Sequence, residues 1–348
     1  MREDRVFDGQ EVDVSDHKVS VCVPTFNKAR YLRSSIESVL AQTFEDYELL
    51  VLDDASTDET AEVLASFKDP RLQVVRHARN IGLQRNFNEC LGRARCEYLI
   101  IFHDDDVMLP RLLECEVRVL DADPGVVMVH CAAALIDSEG IQYSAPPSHW
   151  PPLSEGIDFV RRYWTSMNCG VVMPSAMFRR SLALRLGGFN ENLRYCLDAD
   201  LWQRLAFEGG VAFLNAVLMA NRLHAGQATS KILANRLQML EERLKYAEAT
   251  RVLARRHGAS LDAAVGRQLS GKIATDLTEL RALEASLGQT LKYAQAAVRA
   301  RPVVLLHWRF LCYLVLAFLP SDLIRVLKRL RGRWFLWVRG LSHHGDAR

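Results

Sequence analysis

The sequence has no CxxC pair and none of the Cys/His spacings of a zinc site. Its eight cysteines (Cys22, Cys90, Cys96, Cys115, Cys131, Cys169, Cys196 and Cys312) are scattered, which excludes a zinc ribbon and a dithiol redox centre and fits buried or incidental thiols in a reducing compartment. It also lacks GxGxxG and GxxxxGK(S/T), so any phosphate it binds is not gripped by a glycine-rich loop. Neither charge sign dominates: 44 basic and 42 acidic residues leave a formal net charge of +2, and every charge argument must therefore be local. No repeat of fixed period is evident. Residues 1–17 have no apolar core and read as a polar leader, neither signal peptide nor anchor. The most apolar run, residues 303–319, is interrupted by His307 and Arg309 and falls short of the ~20 residues that a membrane span requires. Together these absences point to the cytoplasm.

What is present in the first two thirds is an alternation. Residues 18–24 (KVSVCVP), 47–52 (YELLVL), 72–75, 98–102 and 126–130 are short apolar, partly β-branched runs that read as buried strands. Between them, apolar residues recur at helical spacing over 30–42, after the N-cap and first-turn acids of 55–59, and over 84–93 and 109–120. Strands alternating with helices of this length imply right-handed crossovers and a parallel sheet with helices on both faces. Residues 137–154 are turn-rich and read as a long loop. A strand over 170–178, a short helix, a turn at Gly187-Gly188, a helix over 197–207 and one or two strands over 211–222 complete this part. From residue 230 onward Ala, Leu, Arg, Glu and Gln dominate, which predicts an all-helical extension. Its end carries Arg325, Lys328, Arg329, Arg331, Arg333 and Arg339 among Trp334, Phe335 and Trp337, a basic, aromatic pattern suited to an anionic membrane surface or to packing on its own domain.

The chain is organised around residues 96–110, CEYLIIFHDDDVMLP. A buried strand delivers three carboxylates at once, and packing Asp104, Asp105 and Asp106 together costs free energy by mutual repulsion unless a cation or solvent compensates. Strand one ends at Pro24-Thr25-Phe26 and strand two at Asp53-Asp54. Open α/β sheets bind ligands at the carboxyl ends of their strands, so these loops converge on one lip.

Residues 19–28 (VSVCVPTFNK), 38–44 (SVLAQTF), 47–57 (YELLVLDDAST), 80–86 (NIGLQRN), 96–110 and 198–204 (DADLWQR) together resemble the family 2 glycosyltransferases. The similarity covers about residues 18–225. It implies an α/β GT-A fold, with a Rossmann-like, mostly parallel sheet flanked by helices, as a domain over 18–229, followed by the helical region 230–348 with its basic amphipathic tail. It implies an inverting enzyme that moves a sugar from a nucleoside-diphosphate donor, of uridine or deoxythymidine type, to a hydroxyl of a glycan or lipid-linked acceptor. The setting it implies is cell-surface polysaccharide synthesis, and with the basic tail it predicts a peripheral place on the inner face of the membrane.

Carried over by position, the resemblance assigns Pro24, Thr25, Phe26, Asn27, Asp54, Arg85 and Asp104 to the nucleotide-sugar. Phe26 stands where many relatives have tyrosine; a ring face can still stack on a base, without the hydroxyl contact. The family's Asp-x-Asp-Asp reads here His103-Asp104-Asp105-Asp106, so His103 replaces the first acid. Asp105 and His224 are assigned to a divalent cation, Mg or Mn, with Asp106 and His103 as further candidates. Asp198 falls on the general base, with Leu197 in place of the glutamate that precedes it in relatives. Asp200 is its rival, since positions two apart on a helix point to different sides, and Trp202 could floor the acceptor site. Two other readings stay open. Asp104-x-Asp106 after a buried strand superficially resembles the haloacid dehalogenase phosphohydrolases, and the same fold could serve as a catalytically silent module that binds a sugar or a lipid carrier.

Overall fold

The computed structural model describes residues 17–144, 150–165, 171–224, 226–227 and 236–266, with isolated positions at 294, 295 and 298. All of the leader 1–17 except His17, the apolar run 303–319 and the basic aromatic tail lie outside the described residues. The chain divides into two compact units, one of residues 1–163, 168–227 and 252–259 and one of residues 164–167, 228–251 and 260–348.

The first unit is built on a mixed sheet of ten strands. In chain order they are β1 (Val19–Thr25), β2 (Tyr47–Asp53), β3 (Leu72–Arg76), β4 (Tyr98–Ile101), β5 (Val107–Met108), β6 (Val126–Ile136), β7 (Gln142–Ser144), β8 (Leu153–Ser154), β9 (Ala176–Arg179) and β10 (Gly210–Arg222). Helices among the described residues include α1 (Ala29–Leu40), α2 (Thr60–Ala65), α3 (Leu83–Arg93), α4 (Leu112–Ala122), α5 (Gly156–Thr165), α6 (Arg180–Arg185), α7 (Leu197–Ala206) and α8 (Arg236–Arg256). The spatial order is β3-β2-β1-β4-β9-β6-β10-β5, with β7 added beside β6 and β8 beside β10.

The apolar runs form strands because both their faces are covered: every residue of β1, β2 and β4 is buried. These three and β3 are parallel, as the alternating pattern predicts. The sheet departs from that pattern at β9, which inserts antiparallel between β4 and β6. Beyond it β6 and β10 run parallel to each other, with register shifts after Gly210, Leu214 and Val217. The strand expected over 126–130 extends to Ile136, and 211–222 is one irregular strand. The expected long loop over 137–154 contains the two short strands β7 and β8. The strand expected over 170–178 shortens to β9, because Pro174 opens a tight helical turn over Met173–Ser175. The helix α5 follows from Phe159, Val160 and Trp164, which recur at helical spacing and are buried.

In β1 the neighbour changes from β2 on one side to β4 on the other. That reversal is the switch point where a doubly wound sheet opens a crevice at its carboxyl ends. The core beneath it is Val19, Val21, Val23, Leu49, Val51, Tyr98, Ile100 and Phe102, packed against Leu32, Ile36 and Val39 of α1.

The described part of the second unit includes α8 up to Arg251. Trp164 packs on Tyr246 with ring centroids 5.2 Å apart, and Arg251 pairs with Asp262 at 3.3 Å. Among the described residues no helix is long and apolar enough to cross a membrane.

Candidate active site

Four loops meet at the carboxyl ends of β1, β2 and β4 and at the end of β10. The β1 loop is tied to the β2 loop by short polar contacts. The Asp54 amide donates to the Thr25 carbonyl at 2.9 Å, the Asn27 amide to Ser56 Oγ at 2.9 Å, and the Thr57 amide to Asn27 Oδ1 at 2.7 Å. Two non-glycine residues here adopt positive φ, Asn27 at 53° and Ala55 at 60°, a strained backbone of the kind that is held only where surrounding contacts over-determine it.

Asp54 is buried, and its carboxylate accepts from the amides of Ile81 at 2.7 Å and Gly82 at 2.9 Å. It thereby fastens the NIG turn at the start of α3. Phe26 is 43% exposed on the rim, its ring available to a planar ligand. Pro24 and Thr25 form the buried end of β1. Arg85, on α3, is exposed and pairs with Glu191 at 3.3 Å.

The acidic stretch is held from behind by α1. Ser35 Oγ donates to the His103 carbonyl at 2.9 Å, the Met108 amide donates to Ser38 Oγ at 2.9 Å, and Gln42 donates to the Leu109 carbonyl at 2.7 Å while accepting from the Leu113 amide at 3.1 Å. The Thr43 amide reaches the Pro110 carbonyl at 2.8 Å. The SVLAQTF segment thus carries the frame of the acidic loop.

Within that loop the three acids differ. Asp106 has no exposed surface and accepts from Asn221 Nδ2 at 3.1 Å and the Arg222 amide at 2.8 Å, which joins the loop to β10. Asp105 Oδ2 receives Lys28 Nζ at 2.8 Å and faces His224 Nε2 at 2.9 Å. Burial opposes the charge on Asp105, yet His103 and Lys28 hold its carboxyl below the usual range. For Asp104 burial, reinforced by the charge of Asp105, wins over Lys28 and lifts the carboxyl to about 7. Burial disfavours charge on the His103 ring, but its contact with Asp106 and the three acids together raise it.

Ligand atoms of His103, Asp105 and Asp106 lie within 4.8 Å of one another. Two carboxylate oxygens and one imidazole suit a hard or borderline divalent ion such as Mg or Mn. His224, which the family resemblance assigns to the ion, contacts Asp105 and packs its ring on Tyr31 with centroids 4.5 Å apart.

On α7 the two acids part company. Asp200 is buried and forms an ion pair with Arg204 at 2.7 Å, while Arg204 also donates to the carbonyls of Leu186 at 2.9 Å and Gly188 at 2.6 Å. Its carboxylate is spent on anchoring the turn before α7. Asp198 is half-buried and accepts from its neighbour's amide, Ala199, at 2.7 Å. Burial lifts its carboxyl above the usual range, against the lowering effect of the backbone amides of Ala199 and of Asp198 itself. Trp202 is 2% exposed and packs edge-on against Phe178 with centroids 5.3 Å apart.

Sequence reasoning missed Lys28 and Arg222. Lys28 is visible only as the last letter of the PTFNK loop. Arg222 is buried, donates to the Asp105 carbonyl at 2.8 Å and lies over the Tyr31 ring at 5.1 Å; a charged residue closing a long apolar strand is the one signal that marks it.

A family model described as glycosyl transferase family 2 matches residues 20–187. An uncharacterized protein of Mycobacterium tuberculosis is 30% identical over 238 residues, which cover 64% of this chain and 72% of the relative. An uncharacterized glycosyltransferase of Rickettsia prowazekii is 30% identical over 228 residues, covering 64% of this chain and 69% of its own. Among solved structures, residues 1–349 of S. aureus TarS in complex with UDP-GlcNAc superpose with a TM-score of 0.66 at 18% identity, covering 81% of each chain. The mannosyltransferase PcManGT of Pyrobaculum calidifontis in complex with GDP-Man and Mn2+ superposes with a TM-score of 0.51 at 20% identity, covering 89% of each. The structural likenesses show a shared GT-A fold, and with the matches in sequence they establish that this chain belongs to the family 2 glycosyltransferases.

Proposed function

We propose that this glycosyltransferase is an inverting enzyme that takes a sugar from a nucleoside-diphosphate donor of the uridine type and transfers it to a hydroxyl of a glycan or lipid-linked acceptor. The observation that carries the reading is the division of labour on α7. Asp200 is consumed by Arg204, whereas Asp198 is half-buried, takes part in no ion pair with Arg204, and has its carboxyl lifted by burial. A carboxylate made more basic by its surroundings is suited to take the acceptor's proton as that oxygen attacks the anomeric carbon. Attack from the face opposite the leaving diphosphate inverts the configuration at that carbon.

In this reading Pro24, Thr25, Phe26, Asn27 and Arg85 flank the nucleotide, with Phe26 offering its ring to the base. Asp54 shapes the same slot through the Ile81 and Gly82 amides, and Asp104 lies at the inner end. Asp105 and Asp106, with His103 and His224 beside them, would hold the divalent cation, Mg or Mn. When bound, that ion supplies charge stabilisation to the departing diphosphate. The uridine preference rests on the likeness to TarS, which is described with UDP-GlcNAc. The basic tail, outside the described residues, would bring the enzyme to an anionic membrane surface where a lipid-linked acceptor resides, for polysaccharide synthesis at the cytoplasmic face.

Incubating the full chain with Mn2+ and a panel of sugar nucleotides is expected to release uridine diphosphate. Phosphate release from simple phosphoesters, without nucleoside diphosphate from any donor, would favour a phosphohydrolase instead. Donor binding without turnover on any acceptor tried would reduce the protein to a binding module.

A further inference from the structure

Lys28 is the residue of the site that the transferase reading leaves without a task. It precedes α1, and its ammonium is drawn inward, with a side chain only 19% exposed. Nζ meets Asp105 Oδ2 at 2.8 Å and stands 3.5 Å from His224 Nε2, which itself touches the same oxygen at 2.9 Å. A lysine gives up much rotamer freedom to sit this way, so the carboxylate must repay the ordering. A divalent cation held by Asp105 and this ammonium compete for one carboxylate, and two like charges in so enclosed a place repel strongly. The ammonium also has somewhere to go. Lys28 lies on the wall of a cavity of about 630 Å3 that Tyr31, Asp58, Asp137 and His224 also line, so its four-carbon stem can swing away from Asp105 towards other acids.

We propose that Lys28 is a resident counter-cation of the donor site. It neutralises Asp105 while no metal ion is bound, is displaced when a divalent cation enters, and so sets the ion concentration at which the site loads. This rests on the metal-dependent reading above, deepens it, and makes Lys28 a positioning residue rather than a catalytic one.

The test is titration of full-length protein with Mn2+, following the electron paramagnetic signal of free ion, for the wild type, Lys28→Met and Lys28→Arg. Lys28→Met keeps the stem and removes the charge, and it is expected to bind Mn2+ about tenfold more tightly than the wild type. Lys28→Arg retains a cation and is expected to stay within about threefold of the wild type. Equal or weaker binding by a folded Lys28→Met protein overturns the Lys28 role and leaves metal dependence intact. A Lys28→Arg protein that tightens as much as Lys28→Met also overturns it, since the effect would then come from lost packing. Mn2+ binding by none of the three overturns the metal reading and this proposal with it.

Discussion

Asp198 and Asp200 carry the same functional group two positions apart on α7, and their surroundings give them different work. Asp198→Asn keeps the shape of the site and removes the carboxylate proposed as the proton acceptor. Transfer is expected to fall by about 10²–10⁴-fold, while donor affinity by calorimetry stays within about twofold of the wild type; a variant that keeps most of its turnover would strip Asp198 of the base role. Arg204→Ala acts on folding. It leaves Asp200 buried without its partner and frees the carbonyls of Leu186 and Gly188, and breaking a buried pair on one side costs about 3–5 kcal/mol. Urea unfolding measures that loss, and a midpoint unchanged from the wild type would show that the pair contributes nothing. At this scale the sequence is least legible. The motif DADLWQR contains both acids and the tryptophan, but nothing in its spacing says that Arg204 claims Asp200 or that Phe178 closes over Trp202.

At the scale of elements, the acidic loop is positioned by α1 as much as by its own strand. Ser35, Ser38, Gln42 and Thr43 lie along or just after one helix and each bonds the backbone between His103 and Leu113. Gln42→Ala removes two of these bonds, from a side chain that is 6% exposed, and strands a carbonyl and an amide. A loss of about 1–3 kcal/mol in stability is expected from one unsatisfied buried group or two, together with weaker Mn2+ binding, because the carboxylates would no longer be held in place. Unfolding and ion titration on the same preparation check both, and loss of stability with unchanged ion affinity would separate the frame from the site. Most strands and helices are legible from periodicity, since β1, β2 and β4 are apolar throughout and α1 repeats its buried residues at helical spacing. The strand β9 is expected from its apolar run, but its antiparallel insertion between β4 and β6 is not, because pairing with two distant strands leaves no local mark. The short β7 and β8 escape for a similar reason: each exists by pairing with a long strand, β6 or β10, and has little pattern of its own.

For the whole molecule, one buried histidine makes a definite contribution to the pH dependence of stability. His130, in β6, has no exposed surface, and neither ring nitrogen has a hydrogen-bond partner among the described residues. Its ring packs on Phe213 with centroids 4.9 Å apart. Burial pushes its pKa down from 6.5 to about 3. The unfolded chain therefore takes up a proton below pH 6.5 that the native state refuses until about pH 3, so stability falls as the pH drops through that window. At pH 4 the loss from this group is roughly 3 kcal/mol, and His130→Leu is expected to flatten the decline in acid unfolding curves; an unaltered slope would assign the acid sensitivity elsewhere. Ligands act in the opposite direction. Mn2+ with uridine diphosphate at about a hundred times its dissociation constant is expected to add about 2.7 kcal/mol, raising the melting temperature by several degrees in a scan, and the absence of any shift would count against the site. What the sequence by itself determined is local: the alternation of buried strands and amphipathic helices, the three acids behind an apolar strand, and the family that their order resembles. Only the tertiary structure decided which polar groups packing consumes and which it leaves to a ligand. It joined Asp105 to Lys28 and His224 across 77 and 119 residues of chain, and it buried Asp106 against β10. Such contacts form because the sheet's strand order brings distant loops to one lip, and strand order is set by long-range pairing that no window of sequence records.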